Sequence, residues 1–112
     1  MQSPINQAQF QELRELLDEE FDSLIMAYLN DSRIRMQTVL TAYEQNDNSK
    51  GYEAIHSLKG ASANLGATTL AEHCLKLQME CKAGRLRNSD VLIQTIQEEL
   101  NRVNEYLNTH LT

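Results

Sequence analysis

The 112-residue sequence has no tryptophan, one proline, four glycines and two cysteines, and aromatic residues make up only 5% of it. Each scarcity excludes something. The lone Pro4 precedes everything regular, so no later helix is interrupted by a missing backbone donor. No apolar run approaches the roughly 18 to 20 residues of a membrane span. The N-terminus also lacks the basic and apolar regions of a secretory signal, and a cytoplasmic protein is expected. Cys74 and Cys81 lie seven residues apart on one helical face. Two turns separate their Cα atoms by about 10 Å, too far for a disulfide, so buried reduced thiols are expected. A closed zinc site needs four convergent ligands, and His73, Cys74 and Cys81 do not supply them. Positive charge is short as well: 10 Lys and Arg stand against 16 Asp and Glu, a net charge of −6 with a pI near 4.9. Neither a nucleic-acid surface nor an anionic-membrane surface fits that balance.

What remains is a chain long enough for one domain with a single core. No stretch alternates with a strand's period of two, and the apolar residues repeat every three or four positions, the signature of helices facing an interior. A first helix over about 6–17 carries Phe10, Leu13 and Leu17 on one side, with Asn6 placed to cap it. A second, about 21–45, has the seam Phe21, Ile25, Tyr28, Ser32, Met36, Val39 and Tyr43, and the polar run 46–49 ends it. A third, about 50–65, buries Tyr52, Ile55, Leu58, Ser62 and Leu65, with Gly66 placed as the left-handed residue that stops it. Thr69 and Glu72 resemble a capping box opening a fourth helix, about 69–83, whose seam is Leu70, Cys74, Leu77 and Cys81. Gly84 ends that helix. Asn88 or Ser89 caps the last one, with Leu92, Ile96, Leu100, Val103 and Leu107 inward. The expected fold is all-α: an antiparallel up-down-up-down four-helix bundle with an additional short N-terminal helix over one end. The chain from 1 to 112 reads as one domain, and Met1 with the lack of a linker points to a small complete protein.

The chemistry concentrates in the third helix. Gly60 sits inside it, at a cost of roughly 1 kcal/mol relative to alanine, which asks for an access reason. His56, Lys59, Gly60 and Ala63 share one face, at the margin of the buried stripe. Side chains on a helix lean toward its N-terminus, so Lys59 reaches back toward His56, whereas Gly60 has nothing with which to cover it. The face is an uncovered imidazole beside an ammonium and a clearing of small residues. A neutral imidazole is a competent nucleophile near pH 7. His73 and His110 carry no comparable surroundings: His73 is expected exposed on the fourth helix and His110 in a fraying tail. The acidic set Asp18, Glu19 and Glu20 reads as a solvated junction.

The run His56-Ser57-Leu58-Lys59-Gly60, followed by Ser62, Leu65 and Gly66, resembles the histidine phosphotransfer (HPt) family of phosphorelay signalling. The resemblance covers nearly the whole chain, with the histidine on the second bundle helix. It implies that His56 accepts a phosphoryl group from a receiver-domain aspartate and passes it to another receiver. It also implies a glutamine and a basic residue on the facing helix, at Gln78 and Lys82. The partners implied are response-regulator receiver domains and a hybrid sensor histidine kinase. No cofactor of its own is expected, the Mg²⁺ residing on the receiver. No nucleic acid, no membrane, a monomer, and no ATP-dependent autokinase activity complete the expectation. There is no Gly-rich phosphate loop, and Ser-Leu-Lys follows His56 where a kinase dimerisation helix would show an acidic residue. The competing readings are a non-phosphorylated helical adaptor with His56 incidental, and a domain excised from a larger sensor kinase.

Overall fold

The computed structural model describes residues 3–111, which form five α-helices. They are α1 (Gln7–Leu17), α2 (Phe21–Gln45), α3 (Asn48–Leu65), α4 (Thr68–Lys82) and α5 (Asp90–Thr109), with short 3₁₀ turns at Asp18–Glu20 and Leu86–Asn88. Helices α2 to α5 pack as the expected antiparallel bundle, each against its neighbours in the chain and α2 against α5, while α1 lies against α2 and α3. No strand occurs among the described residues.

Three of the four bundle helices end in the same way. After α2, α3 and α4 the chain turns through a left-handed residue, Asn46 (φ +53°), Gly66 (φ +90°) and Gly84 (φ +76°). In each case the next amide bonds back to the carbonyl five residues earlier: Asp47 to Ala42, Ala67 to Ser62 and Arg85 to Glu80. This is the Schellman arrangement, which satisfies the orphan carbonyls of a last turn and allows very short links. Glycine suits the last two positions; asparagine tolerates the first.

The starts of the helices depart further from expectation. Asn6 does cap α1, its Oδ1 accepting from the Gln9 amide at 2.9 Å. Helix α3, however, begins at Asn48, because Asp47 caps it by accepting from Lys50 N at 3.0 Å. The run 46–49 is thus only a two-residue link. The capping box at Thr69 and Glu72 does not form: α4 starts at Thr68, and Ala67, fully buried in the link, holds the cap position with no side-chain bond. Ser89 likewise does not cap α5; its hydroxyl donates backward to the Arg85 carbonyl at 2.8 Å.

The seams bury Phe21, Ile25, Met36 and Val39 of α2, Ile55, Leu58 and Leu65 of α3, Leu70, Cys74, Leu77 and Cys81 of α4, and Ile96, Leu100, Val103 and Leu107 of α5. Two polar residues on these seams satisfy each other, the Tyr28 hydroxyl and Ser62 Oγ lying 2.8 Å apart in the core. Two seam positions shift by one residue and a third is only partly covered. Ala42 is buried in place of Tyr43, which lies half-exposed beneath the Arg87 guanidinium at 5.0 Å. Ile93 is buried more deeply than Leu92, and Tyr52 is only partly covered.

His110 is not in a fraying tail. Its ring stacks on Tyr106 at 4.2 Å and meets Phe10 edge-on at 5.6 Å, and its carbonyl accepts from Arg14 Nη2 at 2.7 Å. Phe10 also meets Phe21 and Tyr106 edge-on. This aromatic group ties α1 to the end of α5, with the Asn6 amide bonded to the Gly66 carbonyl at 2.8 Å on the other side. His73 is half-buried rather than exposed, its Nδ1 enclosed without a hydrogen-bond partner among the described residues.

The two glycines within α3 should respond oppositely to substitution. A Cβ at Gly51 would sit 2.7 Å from Leu86 Cδ2 and 3.2 Å from Cys81 Sγ, whereas one at Gly60 meets nothing within 4 Å. Gly51→Val should destabilise by about 1–3 kcal/mol through overpacking. Gly60→Ala should stabilise by about 0.5–1 kcal/mol through helix propensity. Urea unfolding midpoints of the two variants against the parent check both signs.

Candidate functional site

The buried stripe of α3 determines which way His56 faces. Ile55, Leu58 and Leu65 are driven into the core, and at 100° per residue the next position after Ile55 falls on the helix shoulder toward α4. His56 is exposed there. On α4, Leu77 and Cys81 go inward, and Gln78 lies beside them, only 8% exposed. A buried amide without partners would cost about 1–3 kcal/mol. Gln78 has two: its Oε1 lies 3.1 Å from His56 Nδ1, and its Nε2 donates to the Tyr52 hydroxyl at 3.4 Å.

This chain of contacts orients the imidazole. With the amide NH₂ turned to Tyr52, the carbonyl faces Nδ1 and accepts from it. A neutral ring so held carries its proton on Nδ1 and its lone pair on Nε2, at the far side of the ring. The Tyr52 ring, one helical turn before, lies parallel to the imidazole within 4°, with centroids 6.0 Å apart. Tyr52 is the site residue that sequence reasoning missed. It stands at i−4 from His56 and so shares its face, but its place in the apolar rhythm marked it as core.

The remaining candidates divide. Gly60 and Ala63 are exposed on the face of His56, and the Gly60 position is open space. Lys59 is half-buried on the same helix and makes no ion pair among the described residues. It is not hydrogen-bonded to the imidazole, so its contribution here is a nearby charge. Lys82 is exposed on α4 and lines a cleft of about 410 Å³ with Ser49, Tyr52, Glu53 and Cys81. The Ala63 carbonyl is taken by Gln9 Nε2 at 2.8 Å, which anchors α1 beside the clearing. Beyond Ala61, an apolar groove between α1, α2 and α3 is lined by Leu13, Leu17, Leu24, Tyr28 and Leu65.

Among the described residues, no three His, Cys, Asp or Glu side chains converge so as to hold a metal ion. Both thiols are buried. Burial pushes Cys74 up to about 12 and Cys81 up to about 11, because a thiolate there would lose its hydration. Burial likewise holds the Tyr28 phenol above its usual range.

An antiparallel helical bundle presenting one exposed, hydrogen-bonded imidazole on its second long helix has the architecture of a histidine phosphotransfer domain. The chain belongs to the Hpt domain family, whose model matches residues 6–106. Among solved structures it is similar to histidine-containing phosphotransfer protein B (HptB) from Pseudomonas aeruginosa, at 25% identity and a TM-score of 0.92, covering 97% of this chain and 95% of that one. The maize histidine-containing phosphotransfer protein ZmHP2 shares the fold, at 21% identity and a TM-score of 0.82, covering 92% of this chain and 86% of that one. Comparison with curated protein sequences found no match. The chain's role is histidine phosphotransfer in a phosphorelay, as a carrier that interacts with response-regulator receiver domains and kinases. No helix among the described residues is long and apolar enough to cross a membrane.

Two measurements test the geometry. Long-range ¹H–¹⁵N spectra at pH 8 should show the Nδ1–H tautomer at His56, and Gln78→Ala should shift it toward the Nε2–H form that dominates free imidazole. Native protein at pH 8 should leave both thiols unreactive toward a chromogenic disulfide reagent over minutes, with both reacting once urea unfolds the chain, as inert buried cysteines do.

Proposed function

We propose that His56 is the phosphoacceptor, taking a phosphoryl group from a receiver-domain phospho-aspartate and passing it to the aspartate of another receiver. The observation that carries this reading is the exposed imidazole whose Nδ1 is held by the buried Gln78, which leaves Nε2 with no hydrogen bond among the described residues, on the helix face it shares with the open Gly60 position. In the forward step Nε2 attacks phosphorus, the P–N bond forms as the P–O bond to the aspartate breaks, and the carboxylate leaves with the electron pair. The phosphorylated ring keeps its Nδ1 proton and becomes cationic, a state that the Gln78 carbonyl stabilises by accepting that proton's hydrogen bond. The reverse of the same step delivers the group to the next receiver.

Phosphoryl transfer depends mostly on alignment and charge neutralisation, because the transition state spreads negative charge over its equatorial oxygens. Lys59 supplies a cation on the acceptor's helix, and Lys82 a second at the edge of the docking surface. Gly60 and Ala63 let the receiver's pocket close over the ring. The receiver brings the Mg²⁺, so the chain works without a cofactor of its own and without autokinase activity. It acts as a cytoplasmic monomer, since the apolar seams of α2 to α5 are spent on one another.

His56→Gln should fold normally and accept no phosphoryl group, and the parent's label should be acid-labile and base-stable. Lys59→Ala should bind the receiver but transfer about tenfold more slowly, the loss of one charge contact of roughly 1.4 kcal/mol. Gly60→Glu should stay helical yet lose both docking and transfer, because its carboxylate leans back over His56 and repels the phosphate. Receiver affinity and single-turnover transfer, measured for all three, separate chemistry from docking. Transfer by Gly60→Glu at the parent rate would remove the clearing from the mechanism, and a label surviving in His56→Gln would leave His56 incidental.

A further inference from the structure

Tyrosine stands four residues before histidine twice in the chain, at Tyr52–His56 and at Tyr106–His110, and the two pairs serve different ends. On α5 the Tyr106 and His110 rings lie 4.2 Å apart, and both meet Phe10 edge-on. His110 is already engaged there: its Nδ1 lies 2.8 Å from the Tyr106 carbonyl and 3.0 Å from Thr109 Oγ1. That stack packs α1 onto the end of α5. On α3 the Tyr52 ring is stacked on that of His56, parallel within 4° and with centroids 6.0 Å apart. It meets no second ring among the described residues, and the histidine it meets is exposed.

Packing alone does not ask for this arrangement. Tyr52 is only partly covered, at the edge of the core and on the wall of the cleft it shares with Lys82, and an aliphatic side chain would fill the same margin. What the tyrosine adds is a flat face beside the imidazole and a hydroxyl that accepts from Gln78 Nε2 at 3.4 Å. The hydroxyl fixes which end of the amide meets Nδ1. The face acts separately: an aromatic ring carries negative charge on its face and attracts a cation within about 6 Å, but gains little of this kind from a neutral ring. Phosphorylation turns the second case into the first. The phosphoryl group moves from the aspartate oxygen to Nε2, the carboxylate departs with the P–O electron pair, Nδ1 keeps its proton, and the imidazole becomes an imidazolium.

We propose that the face of Tyr52 stabilises the phosphorylated His56 ring over the free one, and so lowers the tendency of the phosphoryl group to leave the protein. The proposal rests on His56 being the phosphoacceptor and adds a residue that sets the balance between its loaded and empty states. The groups round the ring then have separate tasks. Gln78 holds the Nδ1 proton, Lys59 offsets charge on the phosphoryl oxygens, and Tyr52 offsets the charge on the ring itself. Because the effect belongs to the loaded state, it shows in the equilibrium constant between His56 and a receiver aspartate. A residue that merely shaped the docking surface would change forward and reverse rates alike and leave that constant where it was.

The test is the equilibrium constant for transfer between His56 and the aspartate of a receiver domain, approached from both directions, together with the forward and reverse rates. Tyr52→Leu should move the constant toward the receiver by about threefold. Tyr52→Phe keeps the face and loses the hydroxyl, and should hold the parent's constant even where a looser Gln78 slows both rates. Fluorinating the ring of that phenylalanine drains negative charge from its face at nearly constant shape, and should reproduce the shift seen with leucine. The two phenylalanine variants carry the test by themselves if urea unfolding shows that leucine loosens the fold. A constant that ring fluorination leaves unmoved would overturn the proposal. A shift in Tyr52→Phe as large as in Tyr52→Leu would overturn it too, by giving the effect to the hydroxyl. Chemical phosphorylation by phosphoramidate, a small donor, runs in parallel. If neither donor labels His56 in the parent, the phosphoacceptor reading itself fails, whereas labelling with an unmoved constant defeats only the role of Tyr52.

Discussion

The site depends on the register between α3 and α4, and that register is held by a link of two residues. Gly66 turns at φ +90°, and Ala67 bonds back to Ser62 at 2.9 Å, so the chain reverses with almost no slack. His56 lies ten residues before Gly66 and Gln78 twelve after it. At 1.5 Å per residue these are climbs of about 15 and 18 Å to nearly the same level. An extra residue in the link would rotate α4 by about 100° relative to its present face and carry Gln78 away from the imidazole. The Asn6 amide on the Gly66 carbonyl, and Gln9 on Ala63, brace the same turn from outside.

A carrier of this kind must be ordered and uncovered at once, and the helix meets both demands by separating its two faces. The inner face of α3 is packed to the point that Gly51 has no room for a methyl group, while the outer face at Gly60 is empty. Glycine thus serves opposite ends within three turns. The inner packing holds the backbone still, and the Tyr52–Gln78–His56 contacts hold the ring still, so exposure costs little in orientation. Such preorganisation is what phosphoryl transfer asks of the group that receives it.

Much of this was legible in residue spacing. The five helices, most of the seams, the left-handed stops at Gly66 and Gly84, the cap at Asn6 and the outward face of His56 all follow from periods of 3.6 and from residue types with strong local preferences. The errors share a cause. Asp47, Thr69 and Ser89 are all competent caps, and which of them acts depends on how tightly neighbouring helices are drawn together, a tertiary matter. Tyr52 fits the apolar rhythm, yet its ring is only partly covered and stacks on the imidazole. His110 looks like the end of a fraying helix until Phe10 and Arg14, about a hundred residues earlier in the chain, arrive beside it.

By itself, the sequence determined the helical class, the single core, the exposed histidine with its clearing, and the surplus of acid over base, because each of these depends on composition or on contacts within one helix. Only the tertiary structure decided which ring nitrogen meets Gln78 and that Tyr52 belongs to the site. These turn on where α4 and α5 fall relative to α3, and helix-to-helix placement is set by the sum of core packing and link geometry, which no local pattern encodes.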